Sequence, residues 1–278
     1  MSDSQALRKL LKSNLTIPTM PAIVQKISAL IRDPKTGTRE IGALVAEDAP
    51  LAAKVLRIAN SAYYGLQNEC LSTEHASTIL GLNVLKNIVT QVSVISQFDN
   101  LEQETGFSVS SIWKRASLTA QIAERMAPLA TKVRVLSPDE FYVCGLLHKV
   151  GQVVMLDGLG KPYAQLLQVA SYNPGCTQLL ETKKLGFNHQ DVGALVAKRW
   201  DLPEAVQDAI QLHDQPLETL GPRLHVHLIT VASQAAKKLM EGDLEGARAM
   251  ILNNAAALGM DSQKAAGLID HVRLDEEG

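Results

Sequence analysis

The sequence predicts an all-α fold, a multi-helix bundle, on three observations. Apolar residues recur at helical spacing along nearly the whole chain, no stretch alternates apolar and polar residues as a half-buried strand would, and the apolar content is mainly Leu, Ala, Val and Ile with only 4% aromatic residues.

Taken in chain order, Ile23, Ile27, Leu30 and Ile31 share one helical face, and Leu44 and Val45 are followed by Leu51, Val55 and Leu56 on the next segment. Asp48, two residues before Pro50, is placed to cap that second segment. Asn60 is expected to end it in the left-handed region, with Ser61 capping the succeeding segment and Tyr63 and Tyr64 covering the joint. Breaks are expected at Asp33-Pro34, Gly65, Gly81, Gly106, 158–162, Pro174-Gly175, Pro203 and Gly221-Pro222. Polar segment 99–110, with Gly106, is the candidate seam between two bundles. Ser137-Pro138-Asp139-Glu140 is a capping box leading into an expected helix over 141–156. Asn188 with Asp191 opens another helix ending near Trp200.

Charge and length exclude some functions. The 278 residues carry 27 basic and 29 acidic side chains, a net charge of −2 with neither sign clustered, which argues against nucleic acid or anionic lipid as a partner. No apolar run approaches the ~18 residues of a membrane span, and the polar start has no apolar stretch behind it, so a cytoplasmic protein is expected. Cys70, Cys144 and Cys176 have no metal or disulfide spacing and are expected as small buried hydrophobes.

The chemistry-bearing residues are few. Gly145-Leu146-Leu147-His148-Lys149-Val150-Gly151 is followed by Asn188-His189 and by Leu212-His213-Asp214, three histidines near helix ends that could converge. Each taken singly is better explained as a hydrogen-bonded structural histidine than as a ligand. His225 and His227 lie two apart on a helix and therefore point to different faces. No phosphate-binding glycine loop, nucleophile elbow or H-E-x-x-H occurs.

With these residues in view, the chain resembles the HD-domain phosphohydrolases and, more specifically, their HDOD branch. Residues 141–151 are similar to the G-L-L-H-D-I-G segment of the HD enzymes, with Lys149 where the metal-binding Asp would stand. The resemblance implies an early His near Ala116 and a late Asp near Thr230 or Ser233, yet no His lies between His75 and His148 and no acidic residue between Glu218 and Glu241. His189, His213 and Asp214 correspond to auxiliary positions of two-metal relatives. Lys149 is expected to replace the charge of the lost ion by pairing with Asp214 or another acid. The N-terminal half is similar to HDOD domains in Leu15 to Ala22, in Asp48-Ala49-Pro50-Leu51, in Arg57-Ile58-Ala59-Asn60-Ser61-Ala62-Tyr63, and further on at Trp113, Trp200 and Pro203. Capping and packing account for that signature ahead of ligand contact.

The organisation so implied is an N-terminal helical extension over 1–14, an HDOD domain over 15–240 divided into an N-terminal part 15–105 and an HD-like part 106–240, and C-terminal helices with an acidic tail over 241–278. The expected function is a non-catalytic output or adaptor module that binds a signalling protein, with no cofactor. Two alternatives stand beside it. One is a divergent phosphohydrolase holding one divalent transition metal on His148, His189 and His213. The other is a binding module for a nucleotide or small molecule, with Lys149 and Arg115 as anion contacts. No receiver, cyclase or second-messenger phosphodiesterase segment is recognisable, so the signal is expected to arrive through noncovalent contact or from a ligand.

Overall fold

The computed structural model describes residues 15–33, 35–60, 66, 70–133, 135–171 and 177–272. All regular structure among them is helical, with no strand. The chain divides into two compact units, one formed by Thr19–Asp99 and one by Met1–Pro18 with Asn100–Gly278.

The smaller unit contains α1 (Ala22–Arg32), α2 (Thr38–Ala46), α3 (Ala49–Ala59), α4 (Thr73–Leu80) and α5 (Leu82–Ser96). Its core takes in the predicted Ile27, Val45, Leu51 and Val55, all fully buried, together with Ile41, Leu85 and Val89, while the predicted Ile23, Leu30, Ile31, Leu44 and Leu56 are partly buried against it. Asp48 caps α3 by accepting from the Leu51 N–H at 3.0 Å, and Pro50 lies in the first turn of that helix, where its missing N–H costs nothing. Asn60 departs from expectation. It ends α3 at φ −83° and ψ 2°, outside the left-handed region. Its amide instead donates to the Cys70 carbonyl at 2.8 Å and accepts from the Cys70 N–H at 2.7 Å, a two-point clasp that fixes the far side of the connection. Ser61, Tyr63 and Tyr64 lie outside the described residues. Arg57 is on the exposed side of α3.

The larger unit runs through α6 (Leu101–Thr105), α7 (Ser110–Met126), α8 (Pro138–Leu147), α9 (Val150–Leu159), α10 (Lys161–Ser171), α11 (Thr177–Leu185), α12 (His189–Arg199), α13 (Glu204–Leu212), α14 (Leu224–Met240), α15 (Leu244–Leu258) and α16 (Ser262–Ala266), with 3-10 turns at Leu217–Thr219 and Ile269–His271. Helix α7 packs on α8 and α14, α9 packs on α12, and α15 covers α14. The Ser137 capping box opens α8 as the sequence predicts, with the Glu140 carboxylate accepting from the Ser137 N–H at 2.8 Å. The Asn188 box opens α12 in the same way. Trp113 is buried on α7, Pro203 precedes the first turn of α13, and Trp200 donates its indole N–H to the Pro18 carbonyl at 2.9 Å. Cys70 and Cys144 are buried, as expected, and Cys176 lies outside the described residues.

The single helix expected over 141–156 is two helices, broken at His148-Lys149. The ring Nδ1 of His148 lies 2.6 Å from the Gly145 carbonyl, the acceptor that the Lys149 N–H would use if the helix continued. Gly158 lies within α9 rather than at a break, and a Cβ there would meet the Leu15 side chain at 2.4 Å. No single helix among the described residues is long and apolar enough to cross a membrane.

Candidate functional site

The glycines around His148 set the site. A Cβ on Gly145 would meet the Ala120 backbone at 2.5 Å, and one on Gly151 would meet the His189 carbonyl at 1.9 Å. Only hydrogen at these positions lets α7 approach α8 and α12 approach α9 so closely. The break between α8 and α9 therefore faces the first turn of α12, and His148, Lys149, His189 and His213 come together, each 5% exposed or less. Asp214 forms the outer edge, its side chain 30% exposed.

Two hydrogen-bonded chains run through the cluster. In the first, an Arg115 Nη2 donates to Ser233 Oγ at 3.0 Å, and Ser233 Oγ lies 3.0 Å from His148 Nε2. Because the Gly145 carbonyl can only accept, His148 carries its proton on Nδ1 and Nε2 accepts from the Ser233 hydroxyl. Burial, with the charges of His213, Lys149 and Arg115 adding to it, holds His148 well below the usual imidazole range, so it stays neutral.

In the second chain, Lys149 Nζ donates to Asp214 Oδ2 at 2.7 Å and lies 3.3 Å from His189 Nε2. On its other side His189 donates both its backbone N–H and its Nδ1–H to Glu181 Oε2, at 2.9 and 2.7 Å. The Tyr163 hydroxyl donates to the other Glu181 oxygen. Burial alone would lower His189, but Glu181 and Asp214 outweigh it and the neighbouring Lys149, so its pKa is raised. Burial would raise Asp214, yet Lys149 and the histidines hold it well below the carboxylate range. Lys149 is pulled down by burial and by Arg115, against the attraction of Asp214.

His213 stands between the chains. Its Nδ1–H donates to the Ile210 carbonyl at 2.8 Å, its ring meets His148 edge to face at 4.9 Å between centroids, and its Nε2 is buried without a hydrogen-bond partner. Burial brings its pKa down to about 4.

These positions bear directly on a metal. His189 Nε2, His213 Nε2 and an Asp214 oxygen are close enough to share one ion, but the ammonium of Lys149 is bonded to that carboxylate and lies against His189. The Asp214 carboxylate is already paired with Lys149, and that of Glu181 is taken up by His189 and Tyr163, so no free carboxylate awaits a divalent ion. The residues as they stand do not fit one. His148 is not a third imidazole ligand, because its Nε2 is turned to Ser233.

Ala116 is buried on α7 and offers no ligand atom. Of the two candidate positions for the lost Asp, Ser233 is the one that faces His148, while Thr230 Oγ1 donates to the carbonyls of His213 and Val226. His225 and His227 point apart, toward Asp208 and Asn254 respectively. Sequence reasoning missed Glu181 and Tyr163. Glu181, next to a run ending Lys183-Lys184 on a helix of weak amphipathicity, reads as one more solvated acid, yet it is fully buried.

Fold and site together define an all-helical protein with an HD-like histidine and carboxylate cluster. The HDOD domain family profile matches residues 17–216, and the chain belongs to that family. Residues 217 onward lie beyond the match, although α14 supplies the Ser233 that closes the cluster. An uncharacterized protein of Treponema pallidum (strain Nichols) is 30% identical over 197 residues, which are 71% of this chain and 37% of that one, so the chain spans little more than a third of this relative. Among solved structures, an HDOD domain protein of unknown function from Geobacter sulfurreducens superposes with a TM-score of 0.70 at 22% identity, covering 98% of each chain. The MmoQ response regulator of Methylococcus capsulatus (strain Bath) gives a TM-score of 0.52 at 20% identity, covering 91% of this chain and 98% of that one. A protein of Shewanella amazonensis SB2B, described provisionally as a phosphohydrolase, gives 0.71 at 21% identity over 98% and 93%. At these identities the likeness is one of fold.

Proposed function

We propose that this chain is a non-catalytic output or adaptor module of bacterial-type signalling, acting through a protein partner in the cytoplasm. The observation that supports this most is the placement of Lys149 Nζ against Asp214 Oδ2 and His189 Nε2, two of the atoms a hydrolytic metal would need. An ammonium there repels a divalent ion and cannot lower the pKa of a bound water, which is what metal-assisted phosphate-ester hydrolysis requires. Membership of the HDOD family and the fold shared with a response regulator are consistent with a signalling role.

The test is turnover of p-nitrophenyl phosphate and of cyclic mono- and dinucleotides by the purified chain with added manganese, iron or zinc. No product above a protein-free blank is expected. Turnover abolished by Asp214→Ala would replace this reading with the hydrolase.

One observation favours a second reading, a nucleotide or other anion held without hydrolysis. Arg115 reaches the cluster through Ser233 rather than a carboxylate, and its Nε is buried without a partner. Calorimetry against cyclic nucleotides decides between the two. Heat that disappears in Arg115→Gln favours the binding module, and no heat leaves the adaptor.

A further inference from the structure

The chain enters the larger unit at a fixed point. Leu15 lies over Gly158 near the end of α9, so closely that a Cβ there would meet its side chain at 2.4 Å. Three residues on, the Pro18 carbonyl accepts from the Trp200 indole N–H at 2.9 Å. Residues 1–14 lie outside the described residues, and the Leu15 anchor is where they join. Their sequence is amphipathic at helical spacing, with Ala6, Leu7, Leu10 and Leu11 on one face and Arg8, Lys9 and Lys12 on the other. A helix over 6–14 would be ~14 Å long, so it reaches only what lies next to Leu15. One so short is marginal in water unless a surface buries its apolar face.

What lies next to Leu15 suits such a helix in shape and charge. Helix α9 ends there, α10 follows after Gly160, and α6 packs on both. On the solvent side of α10, Val169 is 60% exposed and stands one turn from the half-buried Leu166. The charges on the adjoining elements are acidic. No basic residue occurs in 100–113 or in 150–160, whereas Glu102, Glu104 and Asp157 are all exposed. Burial, with the charge of Glu104 adding to it, raises the Asp157 carboxyl above its ordinary value, so α6 and α9 bring like charges together. Helix α10 adds one cation, Lys161, at its first position.

We infer that the chain's own N-terminal segment occupies this face: residues 6–12 dock in cis as an amphipathic helix, Leu7, Leu10 and Leu11 against Leu166 and Val169 of α10, with Arg8 and Lys12 along the edge that meets Glu104 and Asp157. On a helix Arg8 and Lys12 are four residues apart and share that edge, while Lys9 leaves on the other side. The apolar contacts are few and the ion pairs exposed, so the segment is a removable cover over the exposed side chain of Val169. The inference uses none of the cluster residues and holds whether or not the chain is catalytic.

Hydrogen exchange of the full-length chain, followed by mass spectrometry on peptides covering 1–14, tests it. In wild type the amides of 6–12 are expected to exchange roughly tenfold more slowly than those of a free peptide of the same sequence. Glu104→Lys/Asp157→Lys and Arg8→Glu/Lys12→Glu should each lose that protection, and the four changes combined should restore it. Val169→Asp should lose it as well, whereas Leu244→Asp, at an exposed leucine on α15, should keep it. Glu104, Asp157 and Val169 are exposed, so the amides of α7 and α14 should be unchanged in every variant. The inference is overturned if 6–12 exchange freely in wild type, or if their protection survives either charge reversal or Val169→Asp, which would place the segment elsewhere. Protection that the combined variant does not restore, or that Leu244→Asp also removes, overturns it equally, because the loss would then follow general stability rather than this contact.

Discussion

The Glu181 carboxylate accepts two hydrogen bonds from one residue, His189, through its backbone N–H at 2.9 Å and its ring Nδ1 at 2.7 Å. Both partners are buried, so the pair orients the imidazole and also sets a pH window. Burial pushes Glu181 upward, but His189 and Tyr163 more than reverse it, leaving its pKa lowered, while that of His189 is raised. A lowered carboxylate gives stability that is present above its unfolded value and lost as pH falls through the folded one. A raised imidazole gives stability that is present below its unfolded value and lost as pH rises through the folded one. Glu181→Gln is therefore expected to cost about 3 kcal/mol near neutrality and to flatten both limbs of the stability profile. Urea midpoints on either side of neutrality measure it, and a profile parallel to wild type would show that the pair does not set the window.

His213 acts in the other direction. Its pKa falls from 6.5 to about 4 because burial penalises the imidazolium. Between those values the unfolded chain takes up a proton that the folded chain refuses, so the contribution is fully present above the unfolded value and drains away as pH falls toward the folded one. The size is roughly 3 kcal/mol. Replacing this residue in His213→Gln should remove most of the acid-side slope in that interval, read by chemical denaturation at closely spaced pH values. An unchanged slope would assign the acid sensitivity to other groups.

Much of the fold and cluster was legible in the sequence, for reasons that can be traced residue by residue. Helical periodicity and the Ser137 and Asn188 capping boxes depend on neighbours within a turn, and the structure shows them as read. The pairing of Lys149 with Asp214 or another acid follows from the HD resemblance, which sets a lysine where a metal-binding Asp would stand, and the pair with Asp214 is present at 2.7 Å. The break at His148 was not legible, because it depends on a ring nitrogen competing with the backbone for the Gly145 carbonyl. Asn60 was misread since its partner, Cys70, is ten residues away, whereas local propensity favoured the left-handed turn. Glu181 was missed because burial of a lone acid leaves no periodic trace.

Ser233 joins Arg115 to His148 through one hydroxyl, on a helix beyond the family match. Ser233→Ala leaves the His148 Nε2 unsatisfied and takes from Arg115 Nη2 one of its two acceptors, the Ser233 carbonyl at 3.3 Å remaining, at an expected cost of about 1–3 kcal/mol. Ser233→Asp should be milder, since its carboxylate accepts from Arg115 and favours a proton on His148 Nε2, which then donates to it. Thermal midpoints of the two variants in parallel test this ordering. An alanine variant as stable as wild type would mean that water replaces the hydroxyl.

Gly151 carries the sharpest steric prediction. A Cβ there would lie 1.9 Å from the His189 carbonyl and 2.7 Å from the Gly193 N, both backbone atoms that no rotamer change can move. Gly151→Ala must therefore push α12 away from α9, although alanine favours a helix over glycine by roughly 1 kcal/mol. Overpacking of a close helix contact typically costs about 1–3 kcal/mol, so the net change is expected to be destabilising. The displacement also carries His189, whose carbonyl is the clashing atom, away from Lys149 Nζ, now 3.3 Å from its ring. The variant should therefore lose protection of the amides around His189 in hydrogen exchange, while those of the unit Thr19–Asp99 are unchanged. Loss confined to α12 and its neighbours would show that Gly151 holds the cluster together by the closeness it permits. Uniform loss across both units would show a general packing defect instead.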